Sequence, residues 1–165
     1  MEGKKGVLEL LASDFKVDFI YCTQEFKTKN SRILENKNVK VQIVEAPELV
    51  HFGNFEHNDS VLAVANQKEN KIGGVKINNE LVLVLDDIRD PGNLGTIVRI
   101  ADWYGIKNII CSPSTVDFYN PKVISATMGS FTRVGVFYTD LPEFLKKQKM
   151  PILGAFMKGA SVHSY

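Results

Sequence analysis

The apolar positions of this chain change period several times, and each change marks an element. In "GKKGVLELLA" Val7, Leu8, Leu10 and Leu11 fall on one face of a helix. "VDFIYC" (residues 17–22), "KVQIVEA" (40–46) and "SVLAVAN" (60–66) read as strands. Between the first two, "TQEFKTKNSRILEN" is polar with helical character. "PELVHFG" fits a short helix with Pro47 in its first turn. The stretch "QKENKIGGVKINNE" (67–80) shows neither period. It is polar, rich in Lys and Asn, and carries a Gly-Gly pair, so it reads as a linker dividing the chain near residue 73.

Beyond the linker the pattern is more regular. "LVLVLDD" (81–87) is a continuous apolar run, as expected of a parallel strand covered on both faces. A helix is expected over 93–104, with Gly105 placed for a left-handed C-terminal cap. "KNIICS" predicts the next strand. "NPKVISATMG" predicts a helix with Asn120 at the N-cap, Pro121 in the first turn and Gly129 past the end. "RVGVFYT", "LPEFLKKQK" and "MPILGAFM" predict strand, helix and strand. Such alternation predicts a parallel α/β fold.

The helix after "LVLVLDD" separates two faces. At 100° per residue Leu94, Ile97, Val98, Ala101 and Tyr104 share the face that packs on the sheet. Thr96, Arg99 and Trp103 lie opposite, with Asp102 at the margin. Arg99 therefore points outward, one turn from an indole within reach of cation–π contact. It is either a solvated arginine stacked on Trp103 or an arginine placed at a subunit interface or a substrate phosphate. The preceding "DPGNLG" sets Gly92 and Gly95 around Asn93 at the carboxyl end of a strand, where open α/β sheets bind ligands. Free N–H groups at a helix start favour an anion there. Neither G-x-G-x-x-G nor a G-K-[ST] sequence is present, which argues against a dinucleotide fingerprint and a P-loop.

Composition narrows the classes further. The 165 residues are 44% hydrophobic and 24% charged, as in a packed globular chain. Lys and Arg number 20 against 19 acidic residues, a net charge of +1, so any basic surface must be local. No apolar run approaches the roughly 20 residues of a membrane span. The start lacks the pattern of a secretory signal, and a cytoplasmic protein with no membrane partner is expected. Cys22 and Cys111 are expected to be buried free thiols. No Cys/His cluster has metal-site spacing, so no metal is expected, and His51, His57 and His163 read as surface or loop residues.

Taken together, "DPGNLGTIVRIADWYGI" and, farther on, "YNPKVISATMGSF" (119–131) resemble successive motifs of the SpoU/TrmH family of RNA ribose 2′-O-methyltransferases. The first carries N-x-G-x-x-x-R as Asn93, Gly95 and Arg99. The resemblance implies an α/β architecture in two parts. Residues 1–73 resemble the family's small L30e-like RNA-binding domain, beginning inside what resembles that domain's first strand and so shortened at its N-terminus. Residues 74–80 form the linker, and 81–165 the first part of a parallel-sheet SPOUT domain of the trefoil-knot class. In that family a later Glu-Gly motif and a serine-asparagine motif complete the S-adenosylmethionine site, and this chain contains neither. It thus resembles a member shortened at its C-terminus, expected to bind S-adenosylmethionine weakly or not at all and to be inactive by itself.

The resemblance assigns catalytic roles to Arg99 and Asn93. Methyl transfer to a ribose 2′-hydroxyl needs positioning and charge stabilisation. An arginine is too weak an acid to act as base, so Arg99 is expected to grip a phosphate and stabilise alkoxide character while Asn93 holds the loop or orients Arg99. Arg89, Thr96, Asn120, Lys122 and Arg133 are the expected RNA contacts, while other basic residues such as Lys4, Lys5 and Arg32 read as solvated. Phe156 and Met157 correspond to a strand end near the cofactor. The expected partners are ribosomal or transfer RNA and a second copy in a homodimer. A non-catalytic RNA-binding module is the alternative.

Overall fold

Two strands, β1 (Val17–Cys22) and β5 (Asn108–Cys111), each form the centre of a three-stranded sheet. The computed structural model describes residues 1–54, 56–73, 77, 80–155 and 158–161. In chain order the elements are α1 (Lys4–Ala12), β1, α2 (Gln24–Lys29), α3 (Ser31–Asn36), β2 (Lys40–Ile43), α4 (Ala46–Phe52), β3 (Val61–Ala65), β4 (Leu83–Leu85), α5 (Pro91–Trp103), β5, α6 (Pro121–Ala126), β6 (Gly135–Tyr138) and α7 (Leu141–Lys146). A 3₁₀ turn, Ser130–Thr132, lies between α6 and β6.

The first sheet is mixed. β1 pairs parallel with β2 and antiparallel with β3. Met1 and Gly3 add bonds to the far side of β3, with Ala63 N–H donating to the Met1 carbonyl at 2.8 Å and Gly3 N–H to the Val61 carbonyl at 3.0 Å. The helical stretch 23–36 is broken in two at Asn30. The Asn30 side chain donates to the Phe26 carbonyl at 2.8 Å and its backbone takes up the N-cap of α3, so it closes one helix and opens the next.

The second sheet is parallel, in the order β4-β5-β6. Ile109 and Cys111 point to one face, toward α1, α5 and α6, and Ile110 to the other, where it meets Ile77 and Leu141. The strand expected to be covered on both faces is therefore β5, not β4. β4 is at the edge, Val84 is half open and Leu81 is 71% exposed. A run of apolar residues does not distinguish a central strand from an edge strand. "MPILGAFM" also departs from expectation. Residues 151–155 take no regular structure, and 156 and 157 lie outside the described residues.

The expected linker carries contacts of its own. Lys71 bridges parallel to Tyr138, and Tyr138 N–H donates to the Asn70 carbonyl at 2.9 Å. The Tyr119 hydroxyl accepts from Lys68 N–H at 3.0 Å and faces the Lys68 carbonyl at 3.2 Å. Ile77 is buried on Ile110 and Leu141. These are backbone bonds and one isolated apolar side chain, neither of which leaves a period in the sequence. The core itself crosses between the halves. Val7, Leu10 and Leu11 of α1 belong to one cluster with Ile20 and Val61 of the first sheet and Leu94, Ile109, Val123 and Phe131 of the second part.

Helix ends follow their caps. At the end of α5, Ile106 N–H donates to the Ala101 carbonyl at 2.8 Å and Gly105 N–H to Asp102 at 3.1 Å. Gly105 has φ of +72°, which completes the left-handed cap expected there. After α6 the left-handed position falls one residue earlier than expected. Met128 takes it at φ +52°, followed by Gly129 at +102°. Among the described residues no helix is long and apolar enough to cross a membrane.

Cys22 and Cys111 are free and fully buried. Burial pushes the Cys111 thiol up to about 12 and raises that of Cys22. Neither thiol should react with a disulfide reagent at neutral pH in the native protein, and both should react on unfolding in denaturant. Rapid native labelling of Cys111 would contradict this packing.

Candidate functional site

In a parallel sheet the carboxyl ends of the strands and the starts of the helices that follow them share one edge. Here that edge gathers the loop after β4, the first turn of α5, the loop after β5 and the first turn of α6. Two hydroxyls fasten the loops together. Asp87 N–H donates to Ser112 Oγ at 2.8 Å, and Ile88 N–H donates to Thr115 Oγ1 at 3.3 Å. Ser112 and Thr115 are both buried. Asp87 sits at φ +53°, a left-handed conformation that Asp tolerates better than most residues. Its carboxylate accepts from Arg89 Nε at 2.8 Å, and that bond holds the Asp87 carboxyl below the usual range. Arg89 is thereby held in the open at the strand edge.

Helix α5 starts at Pro91, two residues before the expected Asn93. Asp90 is the N-cap, its Oδ1 accepting from Asn93 N–H at 2.7 Å, and Pro91 takes the first helical position. The Asp-Pro pair was the signal for this start. Asn93 is thus the third residue of the helix, its N–H already taken and its side chain exposed. Asn93, Thr96 and Arg99 then follow at intervals of three along the solvent face, spanning about 9 Å of helix axis. The side chains of Thr96 and Arg99 make no hydrogen bond or ion pair with any described residue.

The predicted outward direction of Arg99 and Trp103 agrees with the structure, where Trp103 is 86% exposed. Two details differ. The Arg99–Trp103 contact is not formed; among the described residues the cation lying over a ring is Lys68, 4.5 Å from the centre of Phe15. Tyr104 is exposed rather than packed. It is the C-cap, at φ −89° and ψ 5°, so the helical projection no longer applies to it.

What faces inward is set by Gly95. A Cβ there would lie 2.5 Å from Ala126 Cβ and 2.9 Å from the Val123 carbonyl, so α5 and α6 touch through backbone. α6 begins on the same edge. Asn120 Oδ1 accepts from Lys122 N–H at 2.9 Å, and the Lys122 side chain is exposed. The structure thus brings Arg89, Asn93, Asn120 and Lys122 to one edge, with Thr96 and Arg99 continuing along α5.

Arg133 lies elsewhere. It precedes β6, at the amino edge of the sheet, beside the last turn of α5. Its guanidinium grips Asp102 through Nε, at 3.0 Å to each oxygen, and Nη2, at 2.8 Å, and it reaches Glu9 through Nη1 at 2.6 Å. This network and the Ser112–Thr115 fastening had no local sequence signal, since Glu9 and Arg133 are 124 positions apart. Phe156, Met157 and His163 lie outside the described residues. Among the described residues no three His, Cys, Asp or Glu gather as metal ligands.

Residues 80–165 match the model of the SpoU rRNA Methylase family. The chain is 32% identical over 89 residues to the 23S rRNA (guanosine(2553)-2′-O)-methyltransferase RlmP of Bacillus subtilis, an overlap of 54% of this chain and 34% of that protein. It is 43% identical over 56 residues to the human mitochondrial rRNA methyltransferase 3, covering 34% of this chain and 13% of that one. An AdoMet-bound rRNA methyltransferase from Sinorhizobium meliloti superposes with a TM-score of 0.76 at 24% identity, over 88% of this chain and 56% of that one. A TrmH-family structure from Porphyromonas gingivalis gives 0.76 at 25% identity, over 100% and 65%. The chain spans about a third of the length of the Bacillus relative and little more than half that of the Sinorhizobium structure.

Two substitutions test this geometry. Gly95→Ala should force α5 and α6 apart and destabilise the fold by about 1–3 kcal/mol, measured by urea unfolding. Asp102 is held below the ordinary carboxylate range by its hydrogen bonds from Arg133. The stability it contributes is complete above the unfolded-state pKa of about 4 and is lost as pH falls through the lower folded value. Asp102→Asn should therefore be less stable than the unaltered chain at about pH 6, and the difference should disappear toward about pH 2.

Proposed function

This chain belongs to the SpoU rRNA methylase family, and from that premise we propose that it serves an S-adenosylmethionine-dependent RNA ribose 2′-O-methyltransferase acting on ribosomal or transfer RNA. The observation that carries this reading is the exposed Asn93–Thr96–Arg99 stripe, whose arginine has no protein partner among the described residues, within the segment that matches the family.

Arg99 binds the phosphate beside the target ribose and stabilises negative charge developing on the 2′-oxygen. It serves as a fixed cation and hydrogen-bond donor, not as a proton acceptor, because a guanidinium does not deprotonate near neutral pH. Asn93, in the first turn of the same helix, holds the preceding loop or orients Arg99. Arg89, Thr96, Asn120 and Lys122 hold the flanking backbone along the edge of the sheet. S-adenosylmethionine, when bound, supplies the methyl group. The Glu-Gly and serine-asparagine motifs that complete its site in the resembling family do not follow residue 131 in this sequence. We therefore expect weak or no binding of it by this chain alone. The exposed Ile100, Trp103 and Tyr104 on the outer end of α5 are the surface we assign to a homodimer contact.

Arg99→Ala, placed in a protein carrying the whole family domain, should lower methyl incorporation by about a hundredfold to a thousandfold. Thermal stability should not change, since Arg99 is exposed and has no partner among the described residues. Near-normal methylation with unchanged RNA affinity would overturn the assignment.

A further inference from the structure

Every guanidinium nitrogen of Arg133 donates to a protein oxygen: Nε and Nη2 to Asp102, and Nη1 to Glu9 and, at 3.3 Å, to Thr132 Oγ1. Three elements meet there: α1 from the first half, the last turn of α5, and the segment that leads into β6. The surroundings close on the same point. The rings of Phe15 and Phe131 meet edge to face at 5.6 Å. A Cβ at Gly129 would lie 2.8 Å from Glu9 Cγ, so α1 rests directly on that backbone. The Asp102 and Glu9 side chains are 21% and 35% exposed, so both pairs are partly sheltered from solvent and salt. Asp102 lies one turn beyond Arg99 on the same helix.

We propose that Arg133 is a positioning residue that holds the first half of the molecule in register with the helix bearing Arg99, through Glu9 on one side and Asp102 on the other. Its functional consequence rests on the RNA methyltransferase reading: RNA bound by the first half is presented to the Asn93–Arg99 stripe at a set angle. Its guanidinium forms the two-pronged contact that lysine cannot reproduce. Four of its five N–H groups are taken by Glu9, Thr132 and Asp102, which leaves one Nη2 N–H for any other acceptor.

The test uses the whole 165-residue chain with spin labels at Glu35→Cys and Lys149→Cys, one in each half, both exposed. The buried native cysteines stay unlabelled. The distance distribution between the labels should broaden in Arg133→Gln, Asp102→Asn and Glu9→Gln, and broaden less in Arg133→Lys, with helix content unchanged by circular dichroism. Unaltered narrow distributions in all of them would overturn the proposal. Affinity for fluorescein-labelled poly(U) across a salt series supplies the second readout. The clamp predicts that all three neutral substitutions weaken binding severalfold through lost preorganisation, with the salt slope unchanged. A phosphate contact at Arg133 predicts instead that Asp102→Asn and Glu9→Gln tighten binding and that Arg133→Gln lowers the slope by about one, and that result would overturn the proposal. If the unaltered chain does not bind poly(U), the RNA reading of its surface falls, while the label distances still decide whether the clamp exists.

Discussion

At position 95 there is room for a hydrogen and nothing larger. Helices α5 and α6 meet there through backbone, and that contact fixes how α5 is rotated on the sheet. Once Gly95, Leu94, Val98 and Ala101 face inward, Asn93, Thr96, Arg99 and Trp103 have nowhere to go but outward. The same contact sets the starts of α5 and α6 side by side at the carboxyl edge of the strands. A glycine with no catalytic group of its own therefore decides which polar residues are presented together.

The three arginines singled out in the second half have three different fates, and the differences lie in their partners. Arg89 is held in the open by one carboxylate of its own loop. Arg133 is held between two acidic residues from distant elements. Arg99 alone projects from a rigid helix without a protein partner among the described residues. A cation left unpaired on a regular element is available to an anionic ligand at no cost in broken contacts, which is the physical basis for assigning it the phosphate and the developing alkoxide. The family to which the chain belongs supplies the reaction, and the pairing pattern supplies the division of labour among residues of one type.

Local chemistry made much of this legible in advance. The 3.6-residue period of α5, the Asn-Pro start of α6 and the Gly105 cap are properties of a few neighbouring residues, so they could be read directly from the chain. The outward direction of Arg99 follows from the same period. The Asp-Pro start of α5 was equally local, and Asp90 with Pro91 marks it as clearly as Asn120 with Pro121 marks α6. The motif around Asn93, Gly95 and Arg99 points to the family for a related reason: it is a short, contiguous segment whose residue types each have a role in one turn.

What only the tertiary structure decided are the properties that depend on residues far apart in the chain. "LVLVL" and "NIIC" are equally apolar, but one is an open edge and the other the centre, because strand order is set by pairing and not by composition. Ile77 looks like a stray apolar residue in a polar linker until Ile110 and Leu141 arrive to cover it. Arg133 reads as a surface cation because nothing near it in sequence shows that Glu9 will lie 2.6 Å away. By itself the sequence determined most of the elements, the Asn120 and Gly105 caps, the outward arginine and the family, since each depends on bonds within about one helical turn or on a contiguous motif. Which cations remain free, which strand is buried and how the two halves are joined were decided by folding, because each depends on contacts closed over tens to more than a hundred residues.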